Sequence, residues 1–287
     1  MSDAGRTPTV IRRALGQRMR EFRLARNLTV AEAAEGAGVS QSTMTKFELA
    51  QMVPSRQIVE KMLDFYEVSG EERDLLLAMH RDGNHKEWWE LVHAQDPKFG
   101  NYLSLESIAS ALQAYDTHLV HGLLQTPDYA RAVIRAGRPD VLPHEVDQLV
   151  ESRTRRQAVL TRADPRPLTL WSVMDEAVLR RQMGGRETMH AQLERLIQAS
   201  ELPSVNLLVM PDSLGAHAGL DGPLSILQFE TGTRPVVYIE GQAGNLYMEK
   251  DDDLRRCQQR MNHILAAAPG TEQSLALIRQ IAKEMKP

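Results

Sequence analysis

Apolar residues recur at helical spacing through the first 80 residues of the chain. In residues 12–26 they stand at Leu15, Met19, Phe22 and Ala25, with arginines between them, and such a period predicts a helix. Four more short helices follow, each with a capping residue or a turn before it. The second is Val30–Ala37 after Thr29, and the third runs from Ser40 to Glu48. The fourth begins at Pro54-Ser55, and the fifth follows the capping box of Ser69 and Glu72. These residues therefore predict a compact all-α unit of five helices.

From Leu105 onward, short apolar runs alternate with amphipathic segments. The runs predict five strands: Ala111–Tyr115, Leu168–Met174, Val205–Met210, Leu224–Phe229 and Val236–Ile239. The amphipathic segments predict five helices: Pro127–Ala136, Pro143–Thr161, Glu187–Ala199, Asp252–Ala267 and Glu272–Glu284. This alternation is typical of a mixed α/β (α+β) domain. The predicted fold class is therefore multi-domain, with an all-α domain followed by a mixed α/β domain.

The same patterns predict four segments along the chain. We expect a flexible basic arm over residues 1–10, the five-helix domain over 11–80, a linker or docking segment over 81–103 and the α/β domain over 104–287. The third segment carries Trp88 and Trp89, and we expect it to pack on one of the domains, although a ligand-stacking role for either ring is an alternative.

Composition narrows the possible classes of protein. No apolar run approaches the roughly 18 to 20 residues of a membrane span, and the N-terminus has no apolar signal region. A single cysteine, Cys257, excludes an internal disulfide framework. We therefore expect a cytoplasmic protein with no membrane contact.

The charge is unevenly distributed. The net charge is −4 overall, but residues 1–30 carry seven arginines against two acids, whereas residues 67–287 carry an excess of acids. A basic end on an acidic body favours an anionic partner for the N-terminal part.

A particular spacing inside the five-helix unit predicts two crossed helices joined by a tight turn. The small Ala34 is followed by Gly38 at the turn and by the apolar anchors Met44 and Phe47. The outer face of the third helix is then polar and able to hydrogen-bond base edges, with Gln41, Ser42, Thr45 and Lys46.

The stretch from Leu15 to Ser55 resembles the helix-turn-helix of the phage-repressor (Cro/C1, or XRE) family. The resemblance implies that Gln41, Ser42, Thr45 and Lys46 contact bases, and that Thr29, Thr43, Ser55 and Arg56 contact phosphates. It also implies a structural set that holds the motif together: Arg23, Ala34, Gly38, Met44, Phe47 and Glu48. Two positions depart from the family pattern, Val30 where Gln is usual and Ala50 where Gly is usual.

A second resemblance covers residues 104–282. Four runs in this region together resemble the DUF5753 (Scr1-family antitoxin-like) domain. They are Gly122-Leu-Leu-Gln-Thr-Pro127, Met174-Asp-Glu-Ala-Val-Leu-Arg180, Leu208-Val-Met-Pro211 and Val237-Tyr-Ile-Glu240. His121 replaces the Pro that is usual before the first of these runs. The resemblance implies an actinobacterial regulator and a small DUF397-type protein as a binding partner.

Other polar groups have simpler interpretations. Asp251-Asp252-Asp253 is expected at a helix N-terminus, and Asp175-Glu176 at a helix cap. Arg153-Thr-Arg-Arg156 is expected on a solvated helix face, and a contact with DNA or with an acidic partner is the alternative. His217 is expected in a surface loop, and a position in the lining of a pocket is the alternative. The histidines and the cysteine show no metal-ligand spacing, so we expect no metal and no cofactor.

Three functional hypotheses follow. The first is a sequence-specific transcription regulator, a dimeric repressor on double-stranded DNA with two half-sites. The second is an antitoxin-like protein that sequesters a small partner and autoregulates its operon. The third is an enzyme on the α/β scaffold; because no catalytic motif is present, we expect that the protein is not an enzyme.

Overall fold

The computed structural model describes residues 10–48, 52–84, 97–163, 166–229, 234–241, 244–248 and 250–286. The chain divides into two compact units, Met1–Leu105 and Glu106–Pro287. Ala50, Trp88, Trp89 and all but the last residue of the predicted basic arm lie outside the described residues, so the interpretations given to them stay predictions.

Five helices form the N-terminal unit, as the spacing predicts. They are α1 (Val10–Ala25), α2 (Val30–Ala37), α3 (Gln41–Glu48), α4 (Arg56–Phe65) and α5 (Gly70–Asn84). Their apolar faces share one core in which Leu15, Met19, Phe47, Leu63 and Tyr66 are fully buried. The all-α part of the predicted fold class is therefore confirmed, and α5 extends four residues beyond the expected end of the domain.

A sixth helix, α6 (Pro97–Ile108), begins inside the segment that we expected to be a linker or docking segment. Gly100 and Asn101 lower its helix propensity, which explains why the sequence pattern did not reveal it. Burial of Tyr102, Leu103 and Leu105 offsets that propensity cost.

The C-terminal unit is built on a six-stranded mixed sheet in the order β3-β2-β1-β4-β5-β6. The strands are β1 (Ala111–Asp116), β2 (Thr169–Asp175), β3 (Val205–Met210), β4 (Leu224–Gln228), β5 (Val236–Ile239) and β6 (Leu246–Met248). The first three are parallel, whereas β4, β5 and β6 each run antiparallel to the neighbour before them.

Helices accompany this sheet between and after the strands. They are α7 (Pro127–Gly137), α8 (Pro143–Arg155), α9 (Glu176–Arg180), α10 (Arg186–Ala199), α11 (Asp251–Ala267) and α12 (Thr271–Met285). One face of the sheet packs Tyr115, Val173, Ile226 and Val237 against Met261 of α11. No described helix is long and apolar enough to cross a membrane.

The mixed α/β prediction is confirmed, with local differences. All five predicted strands form within one residue of their expected ends, but β6 and α9 were not predicted because three- and five-residue segments carry too little periodicity. The helix expected over Pro143–Thr161 is α-helical only to Arg155 and continues as a 3-10 turn to Leu160.

Strand directions bring several polar residues to one edge of the sheet. Since β5 is antiparallel to β4, which is antiparallel to β1, the carboxyl ends of β1, β2 and β5 meet at the same edge. Asp116 ends β1, Asp175 ends β2 and Glu240 directly follows β5. Because side chains alternate along a strand, Asp116 and Glu240 project from the face opposite to Tyr115 and Val237.

Candidate nucleic-acid interface

The turn between α2 and α3 has the backbone that its sequence predicts. Gly38 lies in the left-handed region at φ 68°, where a residue without Cβ is favoured. The Val39 amide donates to the Ala34 carbonyl at 2.9 Å, which closes the end of α2. Ser40 Oγ then accepts from the Thr43 amide at 3.1 Å and caps the start of α3. This turn therefore fixes where α3 begins and the direction in which it leaves α2.

Apolar contacts hold α3 from its inner side. Met44 and Phe47 are fully buried, and Ala34 on α2 is buried beside them. Gly16 on α1 lies so close to α3 that a Cβ at this position would stand 2.5 Å from the Phe47 carbonyl oxygen. The close approach of α1 therefore requires glycine here, a requirement that the periodicity of α1 did not reveal.

A buried ion pair ties the end of α3 to α1. Arg23 donates from Nε and Nη2 to the two carboxylate oxygens of Glu48 at 2.6 and 2.8 Å, and from Nη1 to the Leu28 carbonyl at 2.9 Å. The two side chains are only 8% and 5% exposed. The hydrogen bond with Glu48 raises the pKa of Arg23. One guanidinium thus joins α1, the α1–α2 loop and the last turn of α3.

The outer face of α3 presents the four residues that the family resemblance assigns to base contact. Gln41, Ser42, Thr45 and Lys46 are all exposed. Amide, hydroxyl and ammonium groups of this kind form hydrogen bonds with base edges in the major groove. Their exposure leaves them free to do so, and the contacts themselves stay predictions.

The four predicted phosphate contacts differ in their surroundings. Thr29 caps α2, where its hydroxyl accepts from the Glu32 amide and donates to the Glu32 carboxylate. Thr43 is half-buried, and its hydroxyl lies 2.9 Å from that of Ser40. Ser55 and Arg56 are exposed at the start of α4, where Arg56 donates to Glu60 at 2.8 Å.

Two arginines of α1 and one that directly follows it are held by internal contacts. Arg23 pairs with Glu48, Arg18 with Glu21 and Glu72, and Arg26 donates to the Tyr66 carbonyl. Arg20 is exposed and has no ion-pair partner among the described residues. Among Arg18, Arg20 and Arg23, Arg20 is therefore the side chain most available for a phosphate contact.

In the C-terminal unit, the Gly122-Leu-Leu-Gln-Thr-Pro127 run forms a hydrogen-bonded strap. Gln125 donates to the Val120 carbonyl at 2.6 Å and accepts from Arg153 at 2.8 Å. Gln192 of α10 accepts from the Thr126 amide at 2.7 Å and donates to the Leu124 carbonyl at 2.9 Å. These bonds satisfy a buried stretch of irregular backbone.

His121, which departs from the family pattern, is buried beside this strap. Its Nδ1 accepts from the Leu123 amide at 3.3 Å. Burial and the nearby Arg156 and Arg153 lower the pKa of His121 to about 3. The imidazole is therefore neutral at physiological pH.

The solvated helix face predicted for Arg153-Thr-Arg-Arg156 is wrong for two of its three arginines. Arg155 is exposed, but Arg156 pairs with buried Glu106 at 3.3 Å and Arg153 bonds to Gln125. Arg156 begins the 3-10 turn, which alters the direction of its side chain, whereas Arg153 lies within α8 and is held by its bond to Gln125. The partners of these two arginines lie far away in sequence.

The two polar groups near β2 also differ from expectation. Asp175 precedes α9 but does not cap it with its side chain, which instead accepts from the Tyr115 hydroxyl at 2.8 Å. His217 is not in an open surface loop: its side chain is 8% exposed, lies 3.8 Å from Asp175 and meets the Tyr115 ring edge-on. Asp251-Asp252-Asp253 does begin a helix, as predicted.

These features define a helix-turn-helix protein with a C-terminal mixed α/β unit. A family model described as a helix-turn-helix domain matches residues 14–76. The chain belongs to the family of proteins with the domain of unknown function DUF5753, whose model matches residues 99–280. Both resemblances drawn from the sequence are thereby confirmed. No curated protein and no solved structure matches the chain.

Proposed function

We propose that this protein is a sequence-specific transcriptional regulator that binds double-stranded DNA as a dimeric repressor. The observation that carries the proposal is α3, which has buried anchors at Met44 and Phe47 and four exposed polar side chains on its outer face. In helix-turn-helix proteins such a helix lies in the major groove and reads base edges. The helix-turn-helix family match supports DNA binding.

The dimer follows from the size of the reading surface. One eight-residue helix contacts too few base pairs for tight specificity, whereas two copies read half-sites about 34–36 Å apart. The protein would act in the cytoplasm, on the nucleoid. DNA selected from a random pool by the full chain, followed by footprinting, tests this proposal. Enrichment of an inverted repeat with half-sites one helical turn apart is expected, and no enriched sequence would contradict it.

A second candidate function is the binding of a small DUF397-type protein by the C-terminal unit, as in an antitoxin-like regulator. The observation that favours it is β6, the last strand of the sheet order, where Leu246 is 52% exposed. A sheet edge can accept an added strand from a partner. Co-expression with the product of a small neighbouring gene tests this function. Co-purification that Leu246→Lys abolishes is expected, and separate elution of the two proteins would contradict it.

We also propose that the protein works by binding rather than by catalysis. The surroundings of Tyr115, which lies beside Asp175 and His217, argue against a nucleophilic role for its phenol. Burial and the hydrogen bond to Asp175 raise the pKa of Tyr115, so its phenol is a weak acid and a poor source of a nucleophilic phenolate. Hydrolysis of ester, phosphodiester or glycoside probes by the purified chain would contradict this proposal.

A further inference from the structure

A cavity of about 290 Å³ lies between the sheet and α11 in the C-terminal unit. Ile226 of β4 and Pro235, which directly precedes β5, line it from the sheet side. Leu254 and four polar residues of α11 line it from the helix side. Its volume is at the lower end of the roughly 300–1,000 Å³ of small-molecule sites, so it suits a small ligand.

The helix side of the cavity carries a hydrogen-bonded set of side-chain amides. Gln258 Nε2 donates to Gln113 Oε1 and to Asn262 Oδ1, each at 3.0 Å. Gln113 stands on β1 directly opposite Ile226 in the β1–β4 register, so these bonds tie α11 to the sheet beside the cavity. An amide nitrogen has two N–H donors, and both are used here. The orientation of the Gln258 amide is therefore fixed by its own partners.

Two groups of this set keep unused hydrogen-bonding capacity. Within the described part of the chain, Gln258 Oε1 accepts no hydrogen bond and Asn262 Nδ2 donates none. Both side chains line the cavity and stand one helical turn apart, so a free acceptor and a free donor lie on neighbouring amides. A ligand edge that carries an N–H next to an acceptor atom pairs with such groups, as the adenine edge does with Asn or Gln.

The charges around the cavity favour an uncharged ligand. Arg255, the charged residue of the lining, is exposed and pairs with Asp252 at 3.2 Å, and the other lining residues are apolar or amides. A charged ligand would gain no unpaired counter-ion from this lining, and a buried charge without a partner is costly. The part of the ligand that enters the cavity is therefore neutral.

The lining also selects the shape of the ligand. Apolar side chains stand on both sides, so a flat ring packs between them with its edge on the amides. A sugar carries hydroxyl groups around its whole ring, and these apolar walls would leave most of them without partners. A trans peptide group points its N–H and C=O in opposite directions, so it cannot pair with two neighbouring amides at once. A planar heterocycle holds a donor and an acceptor on one edge.

We propose that this cavity binds an uncharged planar heterocycle of the nucleobase class, held by its donor–acceptor edge. The N–H of the ring edge donates to Gln258 Oε1, the adjacent carbonyl oxygen or ring nitrogen accepts from Asn262 Nδ2, and the ring packs on Ile226 and Leu254. A free base, a nucleoside and a nucleotide share this edge. The site lies within the C-terminal unit, and the proposal does not rest on DNA binding by α3.

Calorimetric titration of the full chain without DNA tests the proposal with adenosine, guanosine, cytidine, uridine and inosine. At least one nucleoside is expected to bind with a dissociation constant below about 1 mM. Its free base is expected to retain binding, and its 5′-monophosphate to gain less than about tenfold, because Arg255 is exposed and already paired. No binding by any nucleoside or base, or binding that requires the phosphate, would overturn the proposal.

A methylated analogue separates hydrogen bonding from apolar packing. Methyl groups that replace the N–H donors of the base leave its ring flat and uncharged but deprive Gln258 Oε1 of its partner. The analogue is expected to bind at least about tenfold more weakly than its parent. Equal affinities would overturn the proposal.

Two substitutions on α11 locate the hydrogen bonds. Asn262→Asp keeps an oxygen that accepts from Gln258 but removes the free N–H donors, and Gln258→Met removes the free acceptor at similar volume. Each is expected to weaken binding at least about tenfold. Gln198→Glu and Gln198→Met, at an exposed position of α10, are the matched controls and are expected to bind as the wild type does. Wild-type affinity in either α11 variant would overturn the proposal.

A third variant tests the cavity itself. Gln259 is exposed and lines the cavity, so Gln259→Trp places a large ring there with little effect on the core. Thermal unfolding confirms that the variant is folded. Gln259→Trp is expected to abolish binding, whereas Gln198→Trp is expected to bind normally. Normal binding by Gln259→Trp would overturn the proposal.

Discussion

At the scale of single residues, the Arg23–Glu48 pair has the largest predicted effect on the stability of α3. Glu48→Gln leaves a guanidinium buried without its counter-charge, and breaking a buried pair in this way costs about 3–5 kcal/mol. Hydrogen exchange of the α3 amides in the full chain measures the loss.

The control for this prediction is Glu60→Gln. It removes the partner of Arg56 in an exposed pair on α4, which is screened by solvent and contributes less than about 0.5 kcal/mol. Equal effects of the two substitutions would show that Arg23 and Glu48 do not lock α3.

Asp116 makes the free energy of unfolding depend on pH in a direction that can be tested. Its pKa lies at about 8 in the folded chain, against an ordinary value of 3.8. Between these values the folded chain holds a proton that the unfolded chain releases, so stability falls as pH rises through this window. Asp116→Asn has no such loss. The unfolding temperature of the variant should therefore exceed that of the wild type by a margin that widens from pH 5 to pH 8 and then levels off.

The comparison for this second prediction is Asp147→Asn, which changes an exposed acid. The difference in unfolding temperature between Asp147→Asn and the wild type should not widen in the same way from pH 5 to pH 8. A constant margin for Asp116→Asn across the range would mean that Asp116 is not held in its protonated form by the fold.

At the scale of elements, the turn before α3 depends on one backbone conformation. Gly38 has φ 68°, and a Cβ added there would meet no heavy atom within 4 Å, so only the backbone resists a side chain. Gly38→Ala should cost about 1–2 kcal/mol, the penalty of the left-handed region. Gly38→Asn should cost less, because Asn tolerates this region. Thermal unfolding of both variants checks the order, and the reverse order would contradict it.

The edge strand β3 is closed by a side chain rather than by another strand. Ser274 of α12 accepts from the Val209 amide at 3.0 Å and donates to the Pro269 carbonyl at 3.1 Å. Ser274→Ala leaves a buried amide unsatisfied, which should cost about 1–3 kcal/mol in chemical unfolding. Ser213→Ala, at an exposed position, should change stability little. A neutral Ser274→Ala variant would mean that water or a shifted helix replaces the contact.

The elements that the sequence pattern predicted are those whose own side chains decide their structure. The runs Val205–Met210 and Val236–Ile239 form strands with the predicted ends because nearly every residue in them is apolar or β-branched. The Thr29 capping box and the Gly38 turn are equally local. By contrast, α6 contains poor helix formers and depends on tertiary burial, which the local sequence does not record.

The contacts of Arg153 and Arg156 could not be predicted from the sequence for a related reason. Arg153 and Arg156 have the spacing of a solvated face, and their burial results from Glu106 and Gln125, which lie about 30 to 50 residues away in sequence. One local signal is present in the sequence: the predicted helix Pro143–Thr161 has no apolar residue in its Glu151–Gln157 stretch, so its apolar period is interrupted there. That pattern marks a change of conformation, not burial.

At the scale of the whole molecule, charge separates the two ends of the chain. The basic residues 1–30 stand against an acidic remainder, so non-specific attraction to DNA should come from the N-terminal part. Arg20→Gln should reduce the slope of log affinity against log salt by about one, the loss of one phosphate contact. Arg135→Gln, which alters an exposed arginine of the C-terminal unit, should leave this slope unchanged. Equal slopes for the wild type and Arg20→Gln would contradict the assignment.

The central claim is that α3 reads DNA sequence, and fluorescence anisotropy on the selected operator tests it most directly. Wild type is compared with Gln41→Ala and Lys46→Ala at several salt concentrations, with Gln280→Ala and Lys283→Ala, exposed on α12, as matched controls. The two α3 variants should each lose about 1–3 kcal/mol of specific binding, while both controls bind as the wild type does. Specific binding that survives both α3 substitutions would show that this helix does not read the bases.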